Sequence, residues 1–177
     1  GYAGEGEFKI KVNNKTTEVY NVWHHMMERC YSESYHKTRP SYIGCSCEEF
    51  HCLQDFGKWY KENFYQIPGE VMCLDKDILC KGNKIYSPST CIFVPKRINS
   101  LFIKCNASRG DLPIGVTRWK NKFHPQCCGV KHMGYFDTIE EAFEVYKYHK
   151  EKYMKEVIDS YEGKIPTHQY EKLHNAI

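Results

Sequence analysis

The chain has 177 residues, and 41% of them are hydrophobic, which suffices for one ordinary core or two small ones. No stretch approaches the ~20 consecutive apolar residues of a membrane span, and the first residues lack the basic-then-apolar order of a signal peptide. We therefore expect a cytoplasmic protein. The net charge of +3 is too small to establish a polyanionic partner by itself.

Short alternating and helical patterns occupy the first half of the chain. Residues 1–15, with an alternating run at 8–12, are typical of an arm or an edge hairpin. Apolar residues at helical spacing predict one helix over 19–31 and a second over 47–64. The stretch 71–95 is typical of two short strands with a long connection that contains a Lys-Gly-Asn turn.

A cluster of turn-forming residues marks a linker at 99–113 and separates predicted domains at 1–98 and 114–177. Three short strands are predicted after the linker, near 114–119, 122–128 and 131–135. A long helix should follow from Thr138 to about Tyr161, with an Asp or Thr cap and acidic residues in its first turn.

The cysteines allow two interpretations. There are 10 of them, which would indicate disulfides in a secreted protein, but the expected location favours reduced thiols. Five cysteines could serve as zinc ligands by residue type, but they lack the paired C-x2-C spacing of structural zinc sites. They are Cys45, Cys47, Cys52, Cys73 and Cys80. We favour small buried apolar residues over a structural zinc site.

The segment from Ile103 to Lys131 is rich in cations, which Asp111 alone opposes. Such a segment is a candidate phosphate-facing surface. Because side chains alternate along strands, we expect one sheet face to present the DNA-binding residues Arg118, Lys120, Lys122, His124 and Gln126, with Trp119 against the sugar-phosphate backbone. The alternative is a solvated charged face on a small α+β domain.

An ordered set of small and aromatic residues follows, at Gly115-Val116, Lys122-Phe123, Met133 to Thr138, Glu140 to Ala142 and Tyr146. This set resembles the DNA-binding domain of APETALA-two/ethylene-response-factor proteins across 114–160. The resemblance implies a three-stranded antiparallel sheet that lies in the major groove and packs on one long helix. Double-stranded DNA is then the expected partner.

The N-terminal half carries Tyr20-x-x-Trp23, Met27-x-Arg29-Cys30-Tyr31, Tyr42-x-Gly44-Cys45, Glu48-Glu49-Phe50 and Phe56. This series is similar to the leader of phage HNH endonucleases, to which APETALA-two-like domains also occur appended. The resemblance implies an α+β fold with a ββα-metal core after the N-terminal helices. Asp75 would then hold Mg²⁺ or Mn²⁺, helped by Asp77 or Thr90.

Two positions depart from the HNH pattern. Lys76 replaces the usual histidine and, being ordinarily protonated near neutral pH, can contact phosphate but cannot act as a base. Thr90 replaces the usual asparagine and offers only a weak hydroxyl ligand. Tyr86, His51 and His36 are candidate bases or nucleophiles, and spacing favours none of them.

Three functions remain open on these patterns. The leading expectation is a phage homing-type, metal-dependent endonuclease that nicks or cuts duplex DNA in the cytoplasm of an infected bacterial host. The second is a catalytically decayed HNH protein kept as a DNA-binding or regulatory protein, and the third is an inhibitor of a host enzyme. Since one chain carries one candidate metal site, a double-strand cut would need a homodimer or two successive nicks.

Overall fold

The computed structural model describes residues 1–103, 111–127 and 130–177. It divides into two compact units, 1–96 and 97–175. Within the described residues there are six α-helices and three two-stranded antiparallel sheets, which confirms the expected α+β class. No helix among them is both long enough and apolar enough to cross a membrane.

The first unit begins with a hairpin that leads into a capped helix. Strands β1 (Lys11–Val12) and β2 (Lys15–Thr16) pair across a turn of two asparagines in the left-handed region. Helix α1 (Glu18–Tyr31) follows at once, because the Thr17 side chain accepts a hydrogen bond from the Tyr20 amide. The helix predicted over 19–31 is therefore confirmed.

The helix predicted over 47–64 is wrong in its first turns. Helix α2 (Glu33–Thr38) and two short 3₁₀ turns (Pro40–Tyr42 and Glu48–Phe50) precede α3, which spans only Leu53–Asn63. Cys52 is extended because Tyr2 lies beside it in a parallel bridge. The Tyr2 amide donates to the His51 carbonyl at 3.0 Å, and the Leu53 amide donates to the Tyr2 carbonyl at 3.0 Å. The contact with Tyr2 thus keeps Cys52 extended, and α3 begins only at Leu53.

Strands β3 (Met72–Asp75) and β4 (Ile92–Pro95) pair antiparallel, and α4 (Lys96–Phe102) follows them. The sequence order is that of a ββα unit, while its being a metal core stays a prediction. The core of the first unit joins these strands to the helices through large side chains: Trp23, Met26, Phe50, Phe56, Trp59, Leu74 and Phe93.

Helix α4 extends into the first residues of the predicted linker at 99–113. Residues 104–110, which include Lys104 and Arg109, lie outside the described part of the chain. The second unit continues with strands β5 (Val116–Trp119) and β6 (Lys122–Pro125), and then with helices α5 (Ile139–Asp159) and α6 (Thr167–Asn175).

Helix α5 packs against both strands of the hairpin. Its first turn is fixed by a capping box, in which Thr138 and Glu141 each hydrogen-bond the other's backbone. The predicted long helix and its threonine cap are therefore confirmed.

The expected three-stranded sheet is wrong. The segment predicted as its third strand, near 131–135, contributes no strand, and only Phe136 forms a bridge to Phe123 in β6. The two amides of that bridge each donate to the opposite carbonyl at 2.8 Å. His132 (φ 60°) and Gly134 (φ 87°) adopt left-handed backbone conformations, which interrupt the extended chain that a continuous ladder requires.

Gly115 allows the hairpin to approach α5 closely. Its backbone is left-handed (φ 74°), and a Cβ at this position would lie 2.1 Å from the Tyr146 ring. Both conformation and space therefore require glycine here. Gly163 is also left-handed (φ 72°), but a Cβ there would meet nothing within 4 Å.

We predict that Gly115→Ala lowers the free energy of unfolding by more than Gly163→Ala does. The backbone cost common to both is about 1–2 kcal/mol, and displacement of Tyr146 adds about 1–3 kcal/mol for Gly115→Ala. Urea denaturation of both variants and the wild type measures the difference. Equal losses would contradict the close packing of Gly115 on α5.

Candidate DNA-contacting hairpin and candidate metal centre

The candidate metal residues lie in a tight turn at the end of β3. One carboxylate oxygen of Asp75 accepts hydrogen bonds from the backbone amides of Asp77 and Ile78, both at 2.8 Å. This Asx turn fixes the Asp75 side chain and uses part of its capacity as an acceptor. Asp77 is adjacent, and its side chain is 50% exposed.

The two carboxylates lie close enough to affect each other. Burial raises the pKa of Asp75, and the neighbouring charge of Asp77 raises it further, although the two amide donors act in the opposite direction. The ionised form of Asp75 is therefore costly in the folded protein. A cation shared by both carboxylates would offset that cost.

Lys76 lies between these two acids in sequence, but its side chain is directed into the protein. It is 7% exposed, and its ammonium donates to the Asn83 carbonyl at 2.9 Å. The Asn83 amide group in turn donates to the carbonyls of Lys76 at 2.7 Å and of Ile85 at 2.6 Å. The lysine therefore stabilises the β3–β4 connection by hydrogen bonding, and its ammonium nitrogen lies 3.7 Å from an Asp77 carboxylate oxygen.

The Thr90 hydroxyl closes a local turn. It donates to the Ile85 carbonyl at 2.7 Å, accepts from the Ser87 amide at 3.1 Å and lies 2.9 Å from the Ser87 hydroxyl. Its lone pairs are thus already in use, so Thr90 does not fit as a metal ligand. Two carboxylates with water do fit Mg²⁺, which usually keeps several waters. Among the described residues, no group of three or more His, Cys, Asp or Glu side chains is placed to hold a metal.

Tyr86 is 2% exposed and contacts Arg29 of α1. Burial raises the pKa of Tyr86 more than the guanidinium lowers it, so the phenol stays neutral near pH 7. The Arg29 guanidinium also lies 5.7 Å from the centre of the Tyr42 ring. Sequence reasoning missed this arginine as a neighbour of the site. Its spacing of three residues from the buried Met26 was the available signal.

The two candidate histidines have local contacts of their own. The His36 Nε2 atom lies 2.8 Å from the Arg29 carbonyl, and the His51 ring packs edge-on against Tyr31 at 5.3 Å. The candidate zinc cysteines differ in burial: Cys45 and Cys47 are buried, whereas Cys80 is exposed.

Five of the six predicted DNA-binding residues lie in the β5–β6 hairpin, and Gln126 follows it directly. The residues on the strands are divided between the two faces of the hairpin. Arg118 pairs with Phe123, whereas Trp119 pairs with Lys122. Cross-strand partners share a face, and neighbours along a strand alternate between faces. Arg118 therefore lies on one face of the hairpin, and Trp119 and Lys122 lie on the other. The expectation that Arg118 shares a face with Lys122 and His124 is therefore wrong. Its guanidinium lies 4.9 Å from the centre of the Phe123 ring.

The other face presents exposed aromatic and basic groups. Trp119 is 59% exposed. Lys120 occupies the turn with φ 54°, and Gln126 follows β6 with an exposed side chain. The Lys122 ammonium pairs with Asp137 at 2.5 Å, so part of its charge is compensated. The His124 ring hydrogen-bonds the Gly134 carbonyl.

Comparisons with protein-family models, with curated proteins and with solved structures found no match. The two resemblances therefore rest on the residues that carry them. The chemistry available for function is that of the hairpin and of the Asp75 turn.

Proposed function

We propose that this chain binds double-stranded DNA through the β5–β6 hairpin. The observation that carries the proposal is an exposed Trp119 at the end of a short antiparallel pair, next to Lys120 in the turn and Lys122 across the strand. The sequence has no Asp or Glu from 112 to 136. The first acid beyond that range is Asp137, which pairs with Lys122.

The loss of the third strand is compatible with this proposal. The major groove of B-DNA, about 12 Å wide, admits a two-stranded β-ribbon. Helix α5 packs against both strands of the hairpin and supports it. Lysine and arginine would supply phosphate contacts, and Trp119 offers a flat surface for the sugar-phosphate backbone.

We predict that Lys120→Gln lowers duplex affinity and reduces the slope of log affinity against log salt by about one, as expected for one lost phosphate contact. Asp137→Asn should strengthen binding, because it releases Lys122 from its acidic partner. Fluorescence anisotropy on an end-labelled duplex at several salt concentrations gives both values.

The matched control is Lys152→Gln, which removes the same charge from an exposed position on α5. It should leave the salt slope unchanged. Equal slopes for wild type and Lys120→Gln, or equal losses in Lys120→Gln and Lys152→Gln, would contradict binding at the hairpin.

A metal-dependent DNA endonuclease is the second candidate function. It is favoured by the adjacent Asp75 and Asp77 carboxylates, which suit a hydrated Mg²⁺ or Mn²⁺. Such an ion, when bound, would stabilise charge on a scissile phosphate and activate water. Because Lys76 and Thr90 are engaged in local bonds, the two carboxylates are the residues of this turn that would hold it.

If the chain is an endonuclease, it should convert supercoiled DNA to nicked circles with Mg²⁺ or Mn²⁺. Asp75→Asn should abolish this conversion while keeping the fold, since an amide oxygen can still accept the two turn hydrogen bonds. Gel electrophoresis of timed reactions separates the products.

Asp55→Asn is the control, because Asp55 is an exposed acid on α3 of the same unit. It should nick as the wild type does. Wild-type protein that binds the DNA but leaves it intact at high enzyme excess would exclude this second function and keep the first.

A further inference from the structure

A cavity of about 560 Å³ in the second unit lies next to the proposed duplex contacts and shares His124 with the hairpin. It is lined by His124 of β6 and by residues of the segment that leads to α5: Lys131, His132, Gly134 and Tyr135. We propose that this cavity holds a single unstacked nucleobase of the bound DNA, with the base on Tyr135 and its phosphate at Lys131. The inference rests on the proposed DNA binding and names the chemical group that this part of the surface takes.

The His124 ring is fixed in a defined orientation. Its Nδ1 atom lies 2.7 Å from the Gly134 carbonyl oxygen. Because a carbonyl can only accept, Nδ1 carries the hydrogen of this bond. The bond fixes the imidazole plane against which the Tyr135 ring packs.

Tyr135 provides a surface for stacking. Its ring stacks on His124 with centroids 4.8 Å apart and planes at 27°. Tyr135 is nevertheless 57% exposed, so much of its side chain remains accessible to a ligand. A flat aromatic ring held by a second ring is the platform on which proteins stack single bases.

The charge around the cavity suits a nucleotide. Lys131 is exposed at the edge, beside His132, and no acid occurs between Asp111 and Asp137 in the sequence. A free phosphate would use the lysine but would leave the tyrosine ring without a role. A nucleobase with its phosphate uses both groups.

The cavity is on the same unit as the candidate hairpin, and His124 belongs to both. The register places His124 opposite Thr117, on the face that also carries Trp119 and Lys122. A strand held on that face can therefore present one of its bases to the cavity if that base leaves the stack. Unstacking costs a few kcal/mol in a perfect duplex and less at an unpaired base, so an unpaired base is the favoured ligand.

The test compares a perfect duplex with the same duplex that carries one bulged 2-aminopurine, both with an end label. Anisotropy of the label gives affinity, and 2-aminopurine emission reports stacking. We expect the full-length wild type to bind the bulged duplex at least about fivefold more tightly and to quench the base, from the typical strength of base–aromatic stacking.

Tyr135→Leu should lose both the preference and the quenching while keeping its affinity for the perfect duplex within about twofold, and Tyr135→Phe should retain both. Tyr148→Leu is the matched control, because Tyr148 is a 65% exposed tyrosine on α5. It should behave as the wild type does.

Equal wild-type affinity for the two duplexes would overturn the base-binding cavity and leave duplex binding intact. A preference that persists in Tyr135→Leu would also overturn it. Failure of the wild type to bind either duplex at low salt would overturn the proposed function, and the cavity's role with it.

Discussion

The close approach of Gly115 to Tyr146 is the contact on which the second unit depends. It brings the start of β5 against α5, so the two-stranded hairpin is supported by packing on a helix. An isolated two-stranded hairpin is marginally stable in water, so this backing is what gives the exposed face a fixed shape. The Phe123–Phe136 bridge adds the second attachment, at the start of the segment that enters α5.

The two units carry different chemistry. In the second unit, cations and aromatic rings are exposed on a strand pair, which suits a polyanionic duplex. In the first unit, the two carboxylates of Asp75 and Asp77 lie close together in one turn. Hydrogen bonds between Lys76 and Asn83 stabilise that turn. The replacements that depart from the HNH pattern, Lys76 and Thr90, both have structural roles there. The proposed DNA binding therefore needs no metal, whereas the proposed hydrolysis would depend on the two carboxylates.

Local patterns predicted the elements whose causes are local. Helices α1 and α5 have apolar residues at helical spacing and a threonine cap, so both were predictable. The delayed start of α3 was not, because Tyr2 pairs with Cys52 across a long stretch of sequence. The missing third strand depends on backbone conformation at His132, which composition does not reveal. The register that turns Arg118 away from Lys122, and the contact of Arg29 with Tyr86, likewise depend on pairing and packing.

Hydrogen–deuterium exchange of the full chain, with and without saturating duplex DNA, tests the central claim of duplex binding at the hairpin most directly. We predict that DNA slows amide exchange in the hairpin from Val116 to Pro125, while the exposed side of α1 exchanges as before. Binding that protects only the first unit, or that leaves the hairpin unprotected at saturation, would contradict it.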